Sequence, residues 1–374
     1  MPDSKPNVLF VLPGPSYKPE TEYFQRQFKK LSTHLRGHVF TTSTNRKEII
    51  IDDLVFHSVR SGAGIISKSR FASFCIYQAL KMRFKGDRLE LVCSYDPLTT
   101  GMIACLISLI HGAKFVAQVN GVYTSKVVWE SRSNNVFARL KAYLPSIIMP
   151  AVIKQADAIK LLFDGQISMF SELLDRKLIE RFPNFVNVED FKNTGDEKEI
   201  LFVGFPFKLK GCDILIEAFK KVSVNHPEWK LKILGWYPDL TELESAIDGH
   251  PSIHHHPAVH RHEVPEHIGK CGFLVLPSRS EAMGRVLVES MAAGKARIGS
   301  NVGGIPTVIN DGEDGFLVEP ENIDALAEKL DLLMSNDELR KTLGARGQQR
   351  AKTEFSEDRY ARNIADFFSR VLAI

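Results

Sequence analysis

The sequence predicts an α/β protein built as two doubly wound, Rossmann-like domains, and three observations carry that prediction. Short apolar runs alternate with helical patterns along the chain. The alternation occurs twice. The length, 374 residues, exceeds what one core accommodates and suits two. The apolar runs at residues 8–12, 91–93 and 114–119 read as strands of the first domain, and those at 200–203, 230–234, 273–276 and 296–298 as strands of the second. They do not alternate polar with apolar, as expected of strands covered on both faces. Helical patterns lie between them, for example at 213–225 and 323–335, and strand, helix, strand in series implies a parallel sheet. The first domain is expected over 1–185 and the second over 190–355, with a polar, turn-rich join between them. A closing helix over 356–374 returns to the first domain. Open sheets of this type bind ligands at the carboxyl ends of their strands, so two of them facing across a cleft place the informative residues just after strands.

Composition narrows the class. Hydrophobic residues make up 44% of the chain and charged residues 25%, ordinary for a soluble globular protein. The five cysteines form no CxxC pair and are odd in number, which points to a reducing compartment. The first apolar run is too short for a signal peptide and the longest, 101–110, is half a bilayer span, so a cytoplasmic protein is expected. The net charge of +3 hides an asymmetry: residues 1–190 carry 25 basic against 17 acidic side chains, while the remainder is acidic. A basic first half suits an anionic partner such as a phospholipid surface or a phosphate-bearing acceptor. The segments 68–88 and 126–154 interleave basic with aromatic and aliphatic residues, the pattern either of helices that lie on the inner face of a membrane or of core-facing helices with a basic solvent side.

The densest chemistry lies at 271–306. A buried strand ends at Pro277; the polar loop Ser278-Arg279-Ser280-Glu281 follows; Ala282-Met283-Gly284 leads into a helix over 285–293; and Gly294 sits where a helix-ending glycine belongs. A second strand and the turn Gly303-Gly304-Ile305-Pro306 complete the unit. This is the pattern of an anion site. Gly284 permits close approach of a ligand, and the amides of Arg285 and Val286 head the helix, where its dipole favours a diphosphate. Glu281 and Glu289 flank that terminus. Each carboxylate can accept two hydroxyl hydrogen bonds, which suits a sugar diol.

The stretch resembles the donor-site signature of glycosyltransferase family 4, retaining enzymes of the GT-B fold. Their P-S-x-x-E, glycine, E-A-M-A-x-G and G-G-x-P elements correspond here to Pro277-Ser278, Glu281, Gly284, Glu289-Ser290-Met291-Ala292, Gly294 and Gly303-Gly304-Ile305-Pro306. The segment 202–219 is similar to the family's first strand, loop and helix of the second domain. There Gly204 follows the strand and Lys210 matches the lysine that grips the donor diphosphate. Phe205 stands where the family has a second, arginine grip, and Lys208 is the expected substitute. The resemblance implies that Glu281 holds the transferred sugar, Glu289 the ribose, Met283 and Gly284 the turn under the donor, and the backbone at Val259 the base.

In the first domain the resemblance assigns Gly14 to a glycine-rich loop near the donor phosphate, and Asn120 to a position that the family gives to a donor-facing histidine. Asp96, at the end of the strand beginning at Leu91, is expected either to orient an acceptor hydroxyl or to cap a helix over 97–110, with Pro97 at its first position. The expected catalytic group is therefore Glu281, Lys210, Asn120 and Asp96. The expected reaction moves a hexose or N-acetylhexosamine from a UDP- or GDP-sugar to the hydroxyl of a saccharide or lipid-linked acceptor in cell-surface polysaccharide or glycolipid assembly. A GT-B epimerase or phosphorylase and a non-catalytic sugar-nucleotide-binding protein are the alternatives. No cofactor and no metal are expected, since the sequence lacks D-x-D, and the three histidines 254–256 lie in a strand-like run that points them to opposite faces. No nucleic-acid-binding motif, P-loop or G-x-S-x-G elbow is present.

Overall fold

A computed structural model describes residues 5–12, 19–44, 48–60, 62, 64–123, 136–169 and 177–374. The chain forms two compact units. The first takes the described residues up to 183 together with 357–374, and the second takes 184–356.

The first unit is an eight-stranded sheet of order β3-β4-β2-β1-β5-β6-β7-β8. Its strands are β1 (Asn7–Val11), β2 (Arg36–Ser43), β3 (Glu48–Ile51), β4 (Leu54–Arg60), β5 (Leu91–Ser94), β6 (Lys114–Val119), β7 (Ala158–Leu161) and β8 (Leu178–Arg181). All neighbours are parallel except β3 and β4. Every residue of β1 and β5 is buried, which follows from helices on both faces. On one face lie α2 (Gly64–Phe84), α3 (Thr99–His111) and α4 (Val136–Gln155), joined through one core that includes Cys75, Ile107 and Ile153. On the other, Phe28 of α1 (Glu22–Ser32) and Phe368 of the closing helix Glu357–Leu372 both pack on Phe10 of β1, at 5.9 and 5.8 Å between ring centroids.

The second unit is a six-stranded, wholly parallel sheet of order β11-β10-β9-β12-β13-β14. Its strands are β9 (Glu197–Val203), β10 (Lys230–Gly235), β11 (Ile253–Pro257), β12 (Cys271–Leu276), β13 (Ala296–Ser300) and β14 (Phe316–Val318). The chain lays β10 and β11 to one side of β9, then returns to place β12 on the other. Strand order therefore reverses between β9 and β12, the place where open sheets of this type bind ligands, and the loops leaving their carboxyl ends lie side by side. Helix α5 (Cys212–Val222) follows the first of these loops and α6 (Arg285–Ala292) the second.

Candidate functional site

The loops after β9 and β12 are joined at several points. Gly211 has φ of +70°, and a Cβ there would stand 1.9 Å from the carbonyl oxygen of Pro277, so only glycine lets the loops approach. The Arg279 amide donates to the carbonyl of Leu209 at 2.9 Å. The Arg279 guanidinium grips Asp213, in the first turn of α5, through two bonds of 2.8 and 3.0 Å. It also donates to Glu321 at 2.8 Å and to the carbonyl of Lys208. This bidentate, charge-assisted clamp holds the two loops in register. Burial alone would raise the Asp213 pKa, but the hydrogen bonds from Arg279 and Lys208 outweigh it and keep the carboxylate below its usual range.

Within that frame Lys210 and Glu281 come together. The Lys210 ammonium donates to Glu281 Oε2, while Oε1 accepts the amide of Ala282 at 3.0 Å. Their side chains are 20% and 13% exposed, enough to reach a ligand and little enough for charge to matter. The backbone of Glu281 is fixed from the opposite side. Gly303, at φ of +56°, would carry a Cβ 1.8 Å from the Glu281 carbonyl oxygen, and the Gly304 amide donates to that oxygen at 3.3 Å. The double glycine of the turn is thus a requirement of where Glu281 sits.

Helix α6 starts at Gly284, whose φ is +73°, and carries no acidic residue in its first turn. The amides of Arg285 and Val286 head it, where the helix itself offers them no acceptor, beside the loop that bears Glu281. Met283 is buried at 7% exposure and anchors that turn from below. Glu289 is held by Arg285 at 2.9 Å and is 12% exposed. A solvated outer face is therefore not its environment: burial pushes its carboxyl upward against the charge of Arg285. Gly204 packs on the Lys210 stem, since a Cβ there would meet Lys210 Cγ at 3.2 Å, and Val259 lies two residues past the end of β11.

Three expectations change. The charge of Lys208 is already neutralised: its ammonium lies 3.1 Å from Asp213 and 3.6 Å from Glu242. Burial opposes that charge, but Asp213 and Glu242 outweigh it and raise the Lys208 pKa. Asn120, in the first unit, has each of its polar side-chain atoms on a protein partner. Nδ2 donates to the Tyr95 carbonyl at 2.9 Å and to Gln118 at 3.1 Å, and Oδ1 accepts from Lys160 at 3.2 Å. The helix expected from residue 97 begins at Thr99 instead, because Leu98 has φ of −112° and ψ of −106°. Asp96 still serves its start, accepting the amides of Leu98 at 2.8 Å and Thr100 at 3.3 Å. Burial nevertheless pushes its carboxyl upward. Asp96 also lines a cavity of about 460 Å³ with Thr42, Lys68, Phe71, Tyr95 and Tyr123. Gly14 lies outside the described residues.

Sequence reading missed two participants. Arg279 was visible only as a loop residue, since its partner Asp213 is distant in the chain. Lys160 is a lone cation in an apolar strand; it is fully buried, its ammonium 5.0 and 5.8 Å from the ring centroids of Phe182 and Tyr360, and burial pulls its pKa down to about 7.

The two units, each built on a mainly parallel sheet, set the fold class, and comparison with solved structures identifies it. The sucrose-phosphate synthase from Thermosynechococcus elongatus superposes with a TM-score of 0.76 at 16% identity, over 98% of this chain and 99% of that one. Anabaena HepE in complex with UDP and glucose superposes with a TM-score of 0.70 at 14% identity, over 96% and 99%. The fold is GT-B. Residues 186–350, less than half of the chain, match the family model described as glycosyl transferases group 1. An uncharacterized glycosyltransferase of Methanocaldococcus jannaschii is 39% identical over 171 residues, 45% of this chain and 47% of that protein. The chain spans about half the length, or less, of such curated relatives.

Proposed function

We propose that the chain is a retaining, metal-independent glycosyltransferase that moves a hexose or N-acetylhexosamine from a UDP- or GDP-sugar to an acceptor hydroxyl. The observation that carries this is the Lys210–Glu281 pair at the strand-order reversal, beside the N-terminus of α6. In this reading the acceptor oxygen attacks the anomeric carbon from the face the diphosphate leaves. The bond from that carbon to the phosphate oxygen breaks, and the acceptor proton passes to the departing diphosphate. Lys210 and the amides of Arg285 and Val286 stabilise the charge that builds there. Glu281 holds the sugar and Glu289 the ribose. Asp96 and Lys68, on the cavity of the first unit, are the groups proposed to meet a saccharide or lipid-linked acceptor. The test is release of UDP or GDP from a panel of sugar nucleotides, with and without lipid-linked acceptors. Release that depends on the acceptor is expected. Release without acceptor would assign an epimerase or hydrolase, and binding without any release a non-catalytic protein.

The reading includes peripheral attachment to the inner face of the cytoplasmic membrane. Helices α2, α3 and α4 contain no Asp or Glu. Helix α3 packs against both of the others, and Tyr77, Phe84, Leu106, Leu109 and Ile147 stand exposed on the three. Lys81, Arg83 and Lys85 lie at the end of this face. No described helix is long and apolar enough to cross a membrane. Apolar area next to cations suits the boundary of an anionic bilayer. The chain is expected to sediment with phosphatidylglycerol-containing vesicles and not with neutral phosphatidylcholine. Reversing Lys81 and Lys85 to Glu together should weaken that binding at least about tenfold. Equal sedimentation with both vesicle types would dismiss the electrostatic part, and none with either would dismiss the attachment.

A further inference from the structure

Two large aromatic side chains stand uncovered at the carboxyl edge of the second sheet. Phe205, two residues past β9, is 42% exposed, and Trp236, directly past β10, is 60% exposed. Their ring centroids lie 5.4 Å apart at 61°. They rest on a firm support. Tyr237, 8% exposed, lies 6.1 Å from Phe205 and 6.2 Å from Phe207, and its hydroxyl donates to the Gly204 carbonyl at 3.0 Å. Ring surface that is held in place yet left in water has the form of a stacking platform.

Its position narrows what would stack there. Gly204, which separates β9 from Phe205, packs on the stem of Lys210. In the order β11-β10-β9-β12, the diphosphate groups of the proposed site belong to the ends of β9 and β12, and Val259 to the end of β11. The aromatic pair at the ends of β9 and β10 lies between them. A nucleoside diphosphate gripped at Lys210 and extending toward Val259 runs its base along this edge.

We propose that Phe205 and Trp236 stack on the nucleobase of a nucleoside diphosphate. This rests on the donor-site reading above. The test is calorimetric titration of the full chain with UDP, GDP and inorganic pyrophosphate. Trp236→Ala and Phe205→Ala should each weaken the preferred nucleoside diphosphate about tenfold, the scale of one base–aromatic stack. Pyrophosphate affinity and the melting temperature of the unliganded protein should not move, and Trp236→Phe should keep most of the affinity. If the wild type binds UDP or GDP and both alanine variants bind it within about twofold of the wild type, the stacking proposal is wrong. An equal loss of pyrophosphate or a lowered melting temperature would give the pair a structural role and overturn it as well. If the wild type binds neither nucleotide, the donor-site reading itself falls.

Discussion

Lys210→Met is expected to lower kcat/KM for sugar transfer by about a thousandfold, the scale of removing one preorganised charge from a developing anion. Methionine keeps the aliphatic stem that packs on Gly204, so the fold should persist. The effect is large because the cations beside it in the two loops are already held. Lys208 is held by Asp213 and Glu242, and Arg279 by Asp213 and Glu321. Glu281→Ala is expected to cost about a hundredfold, from lost charge-assisted hydrogen bonds to the sugar and from Lys210 left without its carboxylate. Because the two side chains form one unit, the double variant should lose much less than the product of the single losses. Steady-state kinetics on the four proteins, with thermal melts to confirm folding, gives the result. A Lys210→Met enzyme within tenfold of wild type would remove the lysine from the proposed role, and strictly multiplicative losses would show that the pair does not act together.

How far the sequence reveals the molecule depends on which strands and which contacts are in question. The central strands β1, β5, β6, β9, β10, β12 and β13 are legible because helices cover both faces and the sequence answers with short runs rich in apolar residues. Those toward the rim are not. β2 reads Arg-Gly-His-Val-Phe-Thr-Thr-Ser, β11 reads Ile-His-His-His-Pro, and β14 has three residues. Their pairing is set by neighbours far away in the chain, which periodicity cannot sense. The site divides in the same way. Glu281, Glu289 and Lys210 are legible because each stands in a short local motif, in the loop after an apolar strand or in the helix that follows it. The clamp from Arg279 to Asp213 spans 66 residues, and Lys208 meets the same carboxylate. Lysine near a phosphate-type motif reads as a ligand group until its partner is known. Asn120 has partners hidden from the sequence for a related reason. Its position is that of a site residue, but a buried lysine on β7 uses its acceptor, and nothing local to residue 120 announces that.

Gly303→Ala should destabilise the protein by roughly 3 kcal/mol or more, against about 1–2 kcal/mol for Gly312→Ala. Both glycines sit at positive φ, +56° and +73°. They differ in what a methyl group would meet. At Gly312 nothing lies within 4 Å, so alanine incurs only the left-handed backbone cost. At Gly303 the new Cβ falls 1.8 Å from the Glu281 carbonyl oxygen, a backbone atom that cannot turn aside. The turn or the loop bearing Glu281 must move. The excess of the Gly303 loss over the Gly312 loss, measured by urea unfolding, therefore isolates the cost of separating this turn from Glu281. Relief by displacement would also shift the carboxylate relative to Lys210 and the start of α6. The Gly303 variant should accordingly lose transfer activity under conditions where it is still folded, while the Gly312 variant keeps it. Equal stability losses for the two would mean that the turn is not packed against Glu281 as tightly as the geometry requires. Folded Gly303→Ala with full activity would mean that the position of Glu281 can vary by the width of a methyl group without consequence. A sugar-holding carboxylate that must meet a pair of hydroxyls at hydrogen-bond distance has no such tolerance.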